Sequence, residues 1–184
     1  MADTIILQTN RQQVREEPGM YIGDNDALGL ATIVREVIDN ALDEFANYQD
    51  KTKPVIVTLH SDNSVTVQDF GRGISPNKSE KQKGEIEERL AYTRIGAGGK
   101  FKENRGKNGS VFSAGMHGTG SAATNFMSEF FDVTIYKNGQ IYHDRFENGG
   151  IPVEKLVNGE LPHKPQTKPY ITGTVVHFKA DKTA

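Results

Sequence analysis

Residues Ile33–Phe45 read IVREVIDNALDEF, and the rest of the chain takes its meaning from them. Wound as a helix at about 100° per residue, the stretch gathers Glu36, Asn40, Asp43 and Glu44 into an arc of roughly 100°. Val34, Val37, Ile38, Ala41, Leu42 and Phe45 share the other side. One face is built to pack; the other presents acids and an amide. Ordinary solvated helices carry such a face too, so its meaning depends on its neighbours. The pattern predicts a helix from about Ala27 to Tyr48.

On the N-terminal side, residues 1–14 form a polar arm with one apolar patch, Ile5 to Leu7, and no clear period. Pro18-Gly19-Met20-Tyr21-Ile22-Gly23 reads as a tight loop whose Tyr and Ile tuck under a core. On the C-terminal side, Val55–Leu59 and Val65–Val67 are β-branched runs around Ser61–Ser64, a hairpin pattern. A short helix is expected over Ile86–Tyr92, and glycine then becomes dense up to Gly120. Ser121–Met127 can be helical. Phe131–Tyr136 and Gln140–Phe146 flank Asn138-Gly139, the strongest two-residue hairpin signal. A Pro-rich loop leads to a last strand, Gly173–Lys179. Hairpins outnumber helical crossovers, so the expected class is α+β: a two-layer α/β sandwich, its sheet largely antiparallel and covered on one face by helices.

The 184 residues, 35% of them hydrophobic, suffice for one well-packed domain. Lys plus Arg (22) nearly cancels Asp plus Glu (24), which leaves no basic excess to neutralise duplex phosphates. DNA is therefore expected only through absent domains or a partner subunit. There is no cysteine, so disulfides and thiolate metal sites are out, and the histidines show no metal-ligand spacing. No apolar run approaches about 18 residues and no signal-peptide core is present. A soluble, cytoplasmic protein without a membrane partner is expected.

Three further stretches can carry chemistry. Asp69-Phe70-Gly71-Arg72-Gly73 places a carboxylate at a strand end before glycines that let a flat ligand approach the backbone; the Asp can accept from an exocyclic amine. Gly115-Met116-His117-Gly118-Thr119-Gly120 precedes a helix and suits a polyphosphate. It is not a Walker motif, because Gly99-Lys100 is followed by Phe101. Thr172-Gly173-Thr174 heads the last strand, where a hydroxyl can line a base pocket. Singly these are an Asp-stabilised turn, a flexible loop and a common strand residue.

In this order, acid-and-Asn helix, D-x-G-x-G, G-x-x-G-x-G and T-G-T, the chain resembles the GHKL (Bergerat-fold) ATPases over about residues 15–179. Pro18–Gly23, Val67–Ile74 and Gly98-Gly99-Lys100-Phe101 are similar to the ATPase domain of type II DNA topoisomerases, of the kind found in gyrase B and its topoisomerase IV counterpart. Ser121–Phe126 and the extended lid look more like phage than cellular enzymes, which would place the chain in a bacterial or phage-infected cell.

The resemblance implies roles residue by residue. Glu36 is the general base for the attacking water, and Asn40 holds Mg²⁺ together with the phosphates of ATP. Carboxylate and amide at i and i+4 share one face, as the bare geometry also requires. Asp43 lines the adenine side, and Glu44 pairs with Arg72. Asp69 recognises adenine, Gly71 belongs to its turn, Gly73 and Ile74 lie against the ring, and Thr174 shares a water with Asp69 and the base. Lys100 reaches the phosphates, and Gly115, His117, Gly118, Thr119 and Gly120 form the phosphate-cradling end of a lid over about residues 97–120. The resemblance also implies an arm over residues 1–14, a single ATPase domain over 15–184, no transducer or TOPRIM domain, and a second copy of the domain engaged on ATP binding.

Departures from the family pattern are Phe70, Ser75-Pro76, a longer segment between Phe101 and Gly115, and Lys137 where gyrase has an Arg that contacts aminocoumarin inhibitors. Such inhibitors are expected to bind, less tightly, since Lys lacks the planar fork. Gln166-Thr167-Lys168 matches a family motif only in its letters, because that motif lies in the transducer. Two alternatives stand beside this reading: another GHKL ATPase of mismatch-repair, chaperone or histidine-kinase type, and an ATP-gated module that does not hydrolyse.

Overall fold

Two hairpins and a returning C-terminal strand build the sheet of the computed structural model, which describes residues 8–23, 26–96 and 119–182. Strands β1 (Ile56–Leu59) and β2 (Val65–Gln68) form the first hairpin; β3 (Ser128–Lys137) and β4 (Gln140–Glu147) form the second. In the second, Asn138 (φ 52°) and Gly139 (φ 71°) both take left-handed conformations, the geometry of a two-residue turn matched to strand twist. Strand β7 (Gly173–Ala180) inserts between β2 and β3, and two short strands, β5 (Ile151–Pro152) and β6 (His163–Pro165), both pair with β4. Every pairing among these strands is antiparallel, as the hairpin count predicts.

Strand register sorts the residues on the sheet's inner face into transverse rows. Val65, Phe178, Phe131 and Phe146 stand abreast, and Val67, Val176, Val133 and Asp144 form the next row. All eight are buried, and within the first row the Phe131 ring lies 6.0 Å from Phe178 and 6.4 Å from Phe146, centroid to centroid. Asp144 is tolerated there because Arg89 bonds both its oxygens, at 2.7 and 2.9 Å. One residue-pair further along, Asp69 donates its N–H to Thr174 O and Thr174 faces Ile135. At this level polar side chains replace the hydrocarbon, and here the site lies.

Five helices cover this face among the described residues: α1 (Asn10–Glu16), α2 (Gly19–Ile22), α3 (Ala27–Phe45), α4 (Glu87–Thr93) and α5 (Gly120–Phe126). Asp26 caps α3, accepting from Leu28 N and Gly29 N, and Lys51 Nζ bonds the carbonyls of Phe45 and Ala46 at its other end. The buried line of α3 is Gly29, Ile33, Val37 and Ala41, an i, i+4 row.

Three sequence expectations are corrected. Leu42 (51% exposed) and Phe45 (37%) do not pack on the core with the rest of the apolar arc. That arc is wider than the contact α3 makes with the sheet, so only its central row is covered. The segment read as having no clear period folds from Asn10 as α1, with Thr9 and Gln12 in a reciprocal capping box and Val14 fully buried. Pro18–Gly23 is a helical turn rather than a loop, though Ile22 is buried and Tyr21 packs against the core as expected. Arg15 ties α1 down by bonding Phe126 O and Asp181.

Candidate functional site

A cavity of about 970 Å³ opens between α3, α4, the start of α5 and the polar end of the sheet. Helix α3 contributes Glu36, Asn40 and Glu44, successive members of one i, i+4 row beside the buried one. Their backbone position follows from the packing of Ile33, Val37 and Ala41: once that row is pressed on the sheet, the adjacent row must face the cavity.

At the deep end, Asp69 is 7% exposed. Its Oδ1 accepts from Gly71 N at 2.8 Å and Thr174 N at 3.3 Å, and no described residue bonds Oδ2. Burial raises the carboxyl to about 6, with the two N–H groups opposing and Glu44 adding to the rise. Thr174 Oγ1 accepts from Ile74 N at 3.0 Å, so the turn after Asp69 is fixed by the last strand. Gly173 is obligatory in this junction: its φ is +139°, and a Cβ there would overlap Asp69 O. Gly73 (φ +73°) lets the chain pass Tyr136 O.

The turn is clamped from both sides. Arg72 bonds Glu44 through Nη2–Oε1 at 2.8 Å and Nε–Oε2 at 3.3 Å, the pair the resemblance implied. Lys137 Nζ donates to Arg72 O at 2.8 Å and Gly73 O at 2.9 Å, and burial, then the nearby Arg72 charge, lowers its pKa.

At the opposite end, Glu36 and Asn40 lie against α5. Burial and the neighbouring Asp39 raise the Glu36 carboxyl, with Arg35 opposing. Asn40 lines the cavity, and its Nδ2 donates to Ser121 Oγ at 2.6 Å, which leaves its carbonyl oxygen free of that bond as an acceptor. One amide oxygen is a suitable protein ligand for Mg²⁺, which keeps waters and phosphate oxygens for its other positions. Among the described residues no three His, Cys, Asp or Glu side chains cluster as a cage.

Glu36, Asn40, Asp69, Gly73, Ile74, Gly120 and Thr174 thus line one cavity. Asp43 is half-buried on α3 and does not line it; at that level the wall is Glu44, and Gly71 packs on Glu44 behind the wall. Thr119 precedes α5 without lining the cavity. Lys100, Gly115, His117 and Gly118 lie outside the described residues. Sequence reasoning missed Ser121 and the clamping role of Lys137.

The sequence pattern of the family described as "Histidine kinase-, DNA gyrase B-, and HSP90-like ATPase" matches residues 25–183. The chain is 42% identical over 182 residues to the B subunit of DNA topoisomerase 4 from Bacillus subtilis (strain 168), covering 98% of this chain and 25% of that protein. It is 39% identical over 181 residues to the B subunit of DNA topoisomerase 4 from Staphylococcus aureus (strain MW2), with the same coverage. The chain spans about a quarter of the length of these relatives.

Proposed function

The chain belongs to the family of histidine kinase-, DNA gyrase B- and HSP90-like ATPases, and from that premise we propose that it binds ATP with Mg²⁺ and hydrolyses it as the ATPase domain of a type II DNA topoisomerase. The observation that carries this reading is the polarity of the cavity. A buried carboxyl with one oxygen that no described residue bonds stands at one end, suited to an exocyclic amine, and a carboxyl–amide pair stands at the other, suited to water and a cation–phosphate group. The relatives, both from DNA topoisomerase 4, favour the topoisomerase alternative over other ATPases of the family.

In this reading Asp69 and Thr174 hold adenine, Gly73 and Ile74 flank the ring, and Asn40 holds Mg²⁺. The metal supplies charge neutralisation for the phosphates. Glu36 orients and deprotonates the attacking water; burial lifts its carboxyl towards the working pH, where a general base is most effective. Lys100, Gly115, His117, Gly118 and Gly120 complete the phosphate end. ATP engages a second copy of the domain, and other parts of a longer protein or a partner protein handle DNA. No described helix is long and apolar enough to cross a membrane, and the reading places the protein in the cytoplasm of a bacterial or phage-infected cell.

Calorimetric titration with ATP and GTP tests the assignment of the two ends. The wild type should bind ATP in preference to GTP, and Asp69→Ala should abolish binding. Equal affinity for the two nucleotides would contradict the adenine assignment.

A further inference from the structure

An Asn amide can turn either end towards a hydroxyl, because a hydroxyl both donates and accepts. Only one orientation of Asn40 puts Oδ1 into the cavity, and only an oxygen serves a hard cation. We propose that Ser121 is the positioning residue that selects this orientation, and that it does so when its own proton is given to a phosphate oxygen.

The inference rests on the proposed ATP–Mg²⁺ site and deepens it. Ser121 lines the cavity beside Asn40 and accepts from its Nδ2 at 2.6 Å. Helix α5 is held on α3 at the same face: Thr124, three residues on, donates Oγ1 to Ile33 O at 3.2 Å and Gly120 O at 2.9 Å and is fully buried. The Ser121 hydroxyl is therefore carried on a fixed support. With its proton committed to the nucleotide, its oxygen can only accept, so the Asn40 NH₂ stays on Ser121 and Oδ1 faces the metal. Without nucleotide, the proton is free to turn to Asn40, and the amide loses its preferred sense. One hydroxyl thereby couples nucleotide binding to magnesium binding. A residue without a hydroxyl at 121 can pack in the same place but transmits nothing.

The test is a coupling measurement on the 184-residue chain. The affinity for a non-hydrolysable ATP analogue with an imido β,γ bridge is measured in Mg²⁺ and in EDTA, for wild type, Ser121→Ala, Ser121→Thr and Asn40→Ala. The ratio of the two affinities should fall roughly tenfold in Ser121→Ala, the usual effect of removing a residue that orients a metal ligand, and Ser121→Thr should restore it. A hydroxyl that only packs, or only donates to phosphate, would lower both affinities by the same factor and leave the ratio at its wild-type value, which would overturn the proposal. A wild-type ratio near one, or one unchanged by Asn40→Ala, would instead sink the ATP–Mg²⁺ reading itself and the proposal with it.

Discussion

Gly120 and Glu36 are in such close contact that a Cβ on the glycine would overlap the carboxyl group of Glu36 and come within 2.9 Å of its Cγ. The glycine's backbone is helical, so nothing in its conformation demands glycine there; the neighbour does.

Helix propensity alone favours Gly120→Ala by up to about 1 kcal/mol. The collision should win at the site. A displacement of about 1 Å in a catalytic group can cost on the order of 100-fold in rate, so hydrolysis should fall by one to two orders of magnitude while the melting temperature holds. Equal kcat values for the variant and wild type would show that Glu36 is not held where the reaction needs it.

Asp69 has a stability cost that its proposed role explains. Its carboxyl is raised from an ordinary 3.8 to about 6 by burial. Well below pH 3.8 the group is protonated in folded and unfolded chains and its contribution is whole. That contribution is lost as pH rises to about 6, leaving a cost of roughly 3 kcal/mol at neutral pH. Asp69→Asn keeps an oxygen for Gly71 N and Thr174 N but carries no charge. It should melt several degrees higher than wild type at pH 7.5, lose that advantage near pH 4, and fail to bind ATP. A lower melting temperature at pH 7.5 would contradict the account.

Glu88 is fully buried beside Asp144, and burial, then the Asp144 carboxylate, raises its pKa well above the usual range. Its neutral form stabilises the fold at low pH, and the contribution is lost as pH rises through the raised value. Glu88→Gln, neutral at every pH, should flatten the alkaline side of a melting-temperature profile. Parallel profiles for the two proteins would show that Glu88 is not kept neutral.

Lys137 has its Nζ on the carbonyls of Arg72 and Gly73, so little of its donor capacity remains for a ligand at the cavity rim. Aminocoumarin inhibitors should bind, and Lys137→Arg should tighten them roughly tenfold, the worth of one charge-assisted hydrogen bond. Wild-type binding at least as tight as that of a bacterial gyrase domain would refute the role given to this side chain.

What could be read in the sequence was local. Asn138-Gly139 demanded positive φ at both residues, and the hairpin followed; the Ile33–Phe45 period gave α3 and the row bearing Glu36, Asn40 and Glu44. The apolar arc could not say how much of itself would be covered, so Leu42 and Phe45 were misplaced. Helix α1 had a readable signal in Thr9-x-x-Gln12, but seven residues with Val14 as their one apolar side chain give no period to detect. Strands β5 and β6 are exposed two- and three-residue pieces containing proline, held by β4 rather than by any pattern of their own. Ser121 and Lys137 act on partners 81 and 64 residues away, contacts that exist only once α5 lies on α3 and β3 passes the 71–73 turn.

Hydrolysis by Glu36 in an ATP-binding cavity is the assignment on which the other roles depend. Single-turnover conversion of radiolabelled ATP, with protein in excess over nucleotide and Mg²⁺ present, compares wild type with Glu36→Gln. Wild type should convert bound ATP to ADP, while Glu36→Gln binds ATP with wild-type affinity and leaves it intact; equal conversion by both proteins would contradict the assignment.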